Sequence, residues 1–351
     1  MMTNTLSDQM TPKQRMACFL QGQEVDRPPC APLILNHAAR VSGVKISEYN
    51  QDGRTMGAAH VAAFKEYGHD FIFIFSTTST LAEAMGTKLF FPDDDAPWVE
   101  EPVVRQPADL AKVRTVDPQR DGRLPVYLEA TRLCCDRIGE DVFVGCVFSG
   151  PFTTAAALRG TENFVKETYK NPELVHKLLT LALDNALIFV DAILAAGGIP
   201  VLVEPVASGS LISPVMFKKF ALPYLKPIVE KIQQANLPCI LHICGKTTKV
   251  VELMADTGAN ALSLDVIDLA EAKEKVGDRV CLIGNVNPAK TMLKGGPRDV
   301  AREARACLAR AGDNPAGFIL SSGCEVPINT RPANIHAMID AARSYRPQAG
   351  L

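Results

Sequence analysis

The feature that most constrains this chain is an alternation. Short β-rich apolar runs, each followed by a polar or glycine-containing loop and then a segment with helical spacing, recur along most of the 351 residues. The runs fall at 31–37, 70–76, 142–148, 200–204, 238–242, 261–265, 280–285 and 317–321. Helical spacing is clearest at 172–196, 214–235, 247–256, 269–276, 298–311 and 332–344. Such alternation calls for parallel strands joined by helical crossovers, and eight units are the number that closes a (β/α)8 TIM barrel. An open doubly wound sheet is the structural competitor. The expectation is one α/β domain over 1–351 with an N-terminal helical extension. That extension is announced by Thr11-Pro12-Lys13-Gln14, a capping threonine with proline at the first helical position and glutamine three residues after the cap. The stretch 91–124, rich in Pro, Asp and Arg, reads as an excursion between the second and third strands.

Charge and cysteine usage narrow the function. The 37 basic and 39 acidic residues are spread along the chain, so neither a nucleic acid nor an acidic tail is implied. The first ten residues are polar, and no segment offers about 18 uninterrupted apolar residues, so no membrane is expected and a cytoplasmic location is. Ten scattered cysteines do not form a dense secreted framework and are expected to be reduced. Cys18, Cys30, Cys146, Cys239, Cys281 and Cys307 sit in apolar surroundings and read as small buried hydrophobes.

In parallel α/β folds, functional groups gather where strands end, because the loops there converge on one opening. Five consecutive runs end in Glu204, His242 with Cys244, Asp265, Asn285 and Ser321 continuing to Cys324. Asp265 and Asn285 have an alternative reading as caps of the helices that follow. The sharpest element is Leu241-His242-Ile243-Cys244-Gly245. In extended chain, positions i and i+2 face one side, so His242 and Cys244 reach the same metal while Gly245 lets the backbone turn. Cys324, past the last run, is the third candidate ligand.

One imidazole and two thiolates suit Zn2+, and three protein ligands leave a fourth position open. Two thiolates cancel the metal's charge, which makes it a weak electrophile for hydrolysis but still able to drive a proton off a bound thiol. Thiol alkylation fits best. Glu204 reads as a resting fourth ligand, a proton acceptor or a substrate-orienting group. His37, at the end of the first run, is the one other histidine worth testing as a cofactor-binding residue.

These residues resemble the uroporphyrinogen decarboxylase superfamily, specifically its zinc-containing, corrinoid-dependent branch, the methylcobamide:coenzyme M methyltransferases. The similarity covers nearly the whole chain through Gln23-Glu24-Val25-Asp26-Arg27-Pro28-Pro29, Ser149-Gly150-Pro151-Phe152-Thr153, Glu204-Pro205-Val206-Ala207-Ser208, His242-Ile243-Cys244-Gly245, Gly284-Asn285-Val286-Asn287-Pro288 and Gly323-Cys324. The resemblance implies a barrel of the uroporphyrinogen decarboxylase type, with His242, Cys244 and Cys324 as zinc ligands; the strand-end positions themselves make Glu204 and Asp265 the candidate catalytic residues and Asn285 and His37 the candidate cofactor-binding ones. It also implies methyl transfer from a methylcobamide to a small-molecule thiol such as coenzyme M. A separate corrinoid protein is expected to supply the methylcobamide, since no Asp-x-His-x-x-Gly segment is present. The decarboxylase branch is the rival, but 28–39 contains no arginine to hold porphyrinogen carboxylates and Phe75-Ser76-Thr77-Thr78 stands where its aspartate would be. Tetrahydrofolate as a non-thiol acceptor, or a barrel that binds a small molecule without turnover, are the further alternatives.

Overall fold

Thr11 caps the first helix, Pro12–Leu20, as its sequence asks. The hydroxyl accepts from the Gln14 amide at 3.2 Å and the Gln14 side chain accepts from the Thr11 amide at 3.0 Å. The structure, a computed structural model, describes residues 8–346. Its strands in chain order are β1 (Phe71–Ile74), β2 (Lys88–Phe90), β3 (Trp98–Glu101), β4 (Phe143–Ser149), β5 (Ile199–Val203), β6 (Ile240–Lys246), β7 (Ala261–Val266), β8 (Cys281–Val286) and β9 (Phe318–Ser322). β2 and β3 form an antiparallel hairpin, while the rest make one curled sheet in the order β1-β4-β5-β6-β7-β8-β9. Every neighbouring pair in that sheet is parallel, as helical crossovers require.

Seven of the expected runs are therefore strands, and the first, 31–37, is not. Only Cys30 forms a parallel bridge, to Leu320. Leu320 donates to the Pro29 carbonyl, Ala31 donates to the Leu320 carbonyl and Asp70 donates to the Cys30 carbonyl. Residues 29–31 thus lie between β9 and β1 and close the ring where a full strand was expected. The cause is proline: Pro28, Pro29 and Pro32 have no N–H with which to extend a ladder. The chain then enters the helix His37–Ser42.

A buried charge network holds this closure. Asp70, just before β1, accepts from the Cys30 amide at 2.6 Å, from Arg27 at 2.6 Å and from Arg15 at 2.5 Å. Asp26 and Asp8 complete the pairing of the two arginines. The Asp26-Arg27-Pro28-Pro29 segment is therefore a staple between the N-terminal helix and the ring.

Alternation along the strands divides the apolar residues into two cores. Phe71, Phe73, Val147, Val201, Ile240 and Ile283 pack inside the ring. Ile72, Ile74, Leu202, Leu241, Leu262 and Leu282 face the helices. The helix Pro172–Ala195 is long and apolar enough to cross a membrane, but Leu178, Leu179, Ala182, Ala186 and Phe189 on it belong to the outer core. The expected excursion holds β3 and the 3-10 turn Pro107–Lys112, and its hairpin begins earlier, in β2. Of the cysteines read as buried hydrophobes, Cys30, Cys146, Cys239, Cys281 and Cys307 are buried and Cys18 is half-buried.

Candidate metal centre

β6 carries two of the three donors. Ile240, His242 and Cys244 alternate onto the inner side and all line a cavity within the ring. His242 stands in register with Ser263 of β7, whose hydroxyl lies 2.9 Å from Nδ1. That contact orients the imidazole and leaves Nε2 3.8 Å from the Cys324 Sγ. The donor atoms of His242, Cys244 and Cys324 all lie within 4.8 Å of one another, and no other such group occurs among the described residues. A tetrahedral zinc, with bonds of about 2.3 Å to sulfur and about 2.1 Å to imidazole, separates those two donors by about 3.6 Å. The residues fit the ion.

One carboxylate organises both turns that carry the candidate sulfur donors. The β6–β7 ladder is interrupted after Ile243, and Gly245 turns at φ +74°, in the left-handed region that favours glycine. Asp265, near the end of β7, accepts from the Gly245 amide at 2.8 Å. On its other side sits Gly323, where an added Cβ would stand 2.8 Å from the Asp265 Oδ1. Asp265 is thus wedged between the backbone beside Cys244 and the backbone beside Cys324. The thiols are themselves coupled: a hydrogen bond from Cys324 holds the Cys244 thiol below its usual range, and the same contact, with burial, pushes Cys324 up.

The other expected residues have clear places. Glu204 points away from the cavity, because Val201 and Val203 on the same strand point into it. Its carboxylate accepts from the amides of Thr153, at 2.5 Å, and Phe152, at 3.1 Å, at the start of the helix Pro151–Arg159. Burial pushes it up to about 7 against the opposing pull of those amides. Asn285 donates to the carbonyls of Asp265, at 2.9 Å, and Ile267, at 2.8 Å, and ties β8 to the end of β7. His37 lies in a helix, not at a strand end, and is fully buried. Its Nδ1 meets the Ile328 carbonyl and its Nε2 the Tyr67 hydroxyl, each at 2.8 Å, so neither nitrogen is offered to the cavity.

Sequence reasoning missed two groups. Ser263 faces inward with the β7 parity that also places Ala261 there, so counting from Asp265 would have found it. Glu325 lines the cavity and accepts from the Asn36 amide at 3.2 Å. Enclosure by protein pushes it up to about 7 although part of its surface opens on the cavity. Its adjacency to Cys324 was the signal. The cavity itself, about 120 Å³, is otherwise walled by Leu33, Phe73, Phe75, Val147, Val201 and Ile283 among others.

Comparison with known proteins agrees with this architecture. The methylcobamide:CoM methyltransferase MtbA of Methanosarcina acetivorans is 29% identical over 344 residues, covering 96% of this chain and 98% of that protein. A uroporphyrinogen decarboxylase of Pseudoalteromonas atlantica is 28% identical over 297 residues, covering 81% of each. Among solved structures, a methyltransferase from Methanosarcina mazei superposes with a TM-score of 0.85 at 27% identity, covering 95% of this chain and 98% of that one. The profile described as Uroporphyrinogen decarboxylase (URO-D) matches residues 11–345, and the chain belongs to that family.

Proposed function

We propose that this enzyme is a zinc-dependent methyltransferase that moves a methyl group from a methylcobamide, carried by a separate corrinoid protein, to a small thiol. The observation that carries the reading is the convergence of His242 Nε2 and the two thiols within 4.8 Å at the open end of the ring. His242, Cys244 and Cys324 would hold the ion. Zinc, when bound there, supplies a Lewis acid that lets an acceptor thiol lose its proton at neutral pH. Ser263 fixes the imidazole, and Asp265 fixes the two turns that present the sulfurs. The apolar walls exclude water from the acceptor sulfur and keep it nucleophilic. Its lone pair forms the new S–C bond, the electron pair of the Co–C bond stays on cobalt as Co(III) becomes Co(I), and the thiol proton leaves to water.

Two further features support the reading. Leu211 and Val215 after β5, Val266 at the end of β7, and the tilted pair Phe90 and Trp98 on the hairpin are large exposed apolar side chains. The hairpin is tied to the end of β1 through the Thr77 hydroxyl and the Pro97 carbonyl. Apolar groups on strand-end segments suit a transient contact with a corrinoid protein. We further assign Asn285 to the support of β7, take 1–351 as one barrel domain and place the enzyme in the cytoplasm.

The test is zinc content and demethylation of free methylcobalamin, followed by absorbance. The expected result is about one zinc per chain, lost together with activity in Cys324→Ala. Purified protein that carries no metal and still transfers methyl groups would remove the reading, as would transfer to tetrahydrofolate but to no thiol.

A further inference from the structure

We infer that the acceptor is a small, uncharged thiol with an apolar body seated inside the ring, and that anionic thiols such as 2-mercaptoethanesulfonate are poor substrates. This inference rests on the methyltransferase reading above and specifies its acceptor.

Direction comes first. A corrin ring is far larger than a cavity of about 120 Å³, so a methyl–cobalt bond can approach only from the open, strand-end face. The carbon body of an acceptor whose sulfur lies at the His242, Cys244 and Cys324 donors must then point into the ring. What it meets there is mostly apolar, Leu33, Phe73, Val147, Val201 and Ile283, with Thr78 as an uncharged polar neighbour. An engineered apolar cavity of about 150 Å³ holds a benzene-sized molecule, so a body of a few carbons suits this one.

Charge comes second. Among the described residues that line the cavity there is neither Lys nor Arg, and 1–7 and 347–351 contain none in the sequence. Arg123 reaches the Ser76 hydroxyl behind Phe75 but pairs with Glu83 at 2.8 Å and does not line the cavity. The Ser263 hydroxyl is engaged by His242. The remaining ionisable group beyond the three donors is Glu325, an acid, which offers no positive charge in either protonation state. A sulfonate or carboxylate placed here would lose its water without gaining a cation, a cost that falls on charged groups far more heavily than on neutral ones. An alkyl chain of equal length loses nothing and gains contact with the walls.

The experiment uses the zinc-loaded full chain with free methylcobalamin and compares propane-1-thiol with 2-mercaptoethanesulfonate, which reach equally far. Absorbance reports demethylation, and calorimetry without methylcobalamin reports thiol binding. We expect propane-1-thiol to exceed the sulfonate by at least about a hundredfold in kcat/KM, and to be the better binder. Val201→Phe, which fills the cavity, should raise the KM for propane-1-thiol more than it lowers kcat, and Val147→Leu provides a milder version of the same change. Equal or better use of the sulfonate, with methyl transfer intact, overturns this inference and leaves the transferase reading standing. Failure of every thiol both to bind and to accept the methyl group brings down both.

Discussion

At the residue scale, the centre depends on how three donors are aimed. His242 presents Nε2 because the Ser263 hydroxyl, 2.9 Å away, occupies Nδ1. Removing that contact in Ser263→Ala frees the ring to rotate without opening a large void. Loss of such an outer contact weakens metal affinity by about 10- to 100-fold, and competition against a chromophoric chelator will measure it. The metal-free protein should lose only about 0.5–1.5 kcal/mol of stability, the ordinary contribution of one hydrogen bond. Asp265 acts through backbone, so Asp265→Ala should lower affinity for zinc by a similar factor while His242, Cys244 and Cys324 remain in place. Equal zinc affinity in both variants and the parent would show that these contacts do not position the donors.

At the element scale, the ring is closed by a segment too poor in donors to be a strand. Prolines leave residues 29–31 with few backbone bonds, and Asp70 compensates by accepting from the Cys30 amide while Arg15 and Arg27 neutralise it. Taking one partner from a buried ion network leaves the others unpaired and costs about 3–5 kcal/mol. Asp70→Asn should show a loss of this size in urea unfolding, read as a lower midpoint. The dependence of this closure on acid also has a direction. Burial raises the Asp26 carboxyl, but hydrogen bonds from Arg15 and from the amides of Met10 and Gln9 outweigh it and hold it at about 2. A carboxyl depressed in the folded state contributes stability that is present above its unfolded value of about 3.9 and is lost as pH falls toward 2.

At the scale of the whole molecule, Glu204 works in the opposite direction. Burial raises it from 4.5 to about 7, so the folded state favours its protonated form and stability declines as pH rises from 4.5 through 7. His60 and His69, buried and held at about 3, pull the other way over the same range, because the stability they contribute is lost as pH falls below 6.5. Relative to the parent, Glu204→Gln should gain stability as pH rises from 4.5 to about 7, and denaturation midpoints across pH will show it. Metal removal should separate function from fold. His242, Cys244 and Cys324 stand at strand ends above a ring whose two cores are already packed. Chelation should abolish methyl transfer and leave far-UV circular dichroism unchanged, whereas a metal-dependent fold would lose its helical signal.

Seven strands, the capped first helix and most crossover helices were legible because their causes are local: period, proline and caps are written within a few residues of where they act. The pairing of His242 with Cys244 was legible for the same reason, since alternation along one strand places both on one side. What tertiary structure alone decided was everything that depends on closure. It brought Cys324 to His242 across 82 residues, left the 31–37 run as irregular chain between a bridge at Cys30 and a helix that starts at His37, and set Asp265 between two glycines of different loops. It also turned Glu204 toward a helix terminus, buried His37 between Tyr67 and Ile328, and left Glu325 as the acid facing the cavity. The side a strand-end residue faces follows from parity in the ring, and its partners come from neighbouring strands. Sequence by itself names the donors; the closed ring decides which of them meet.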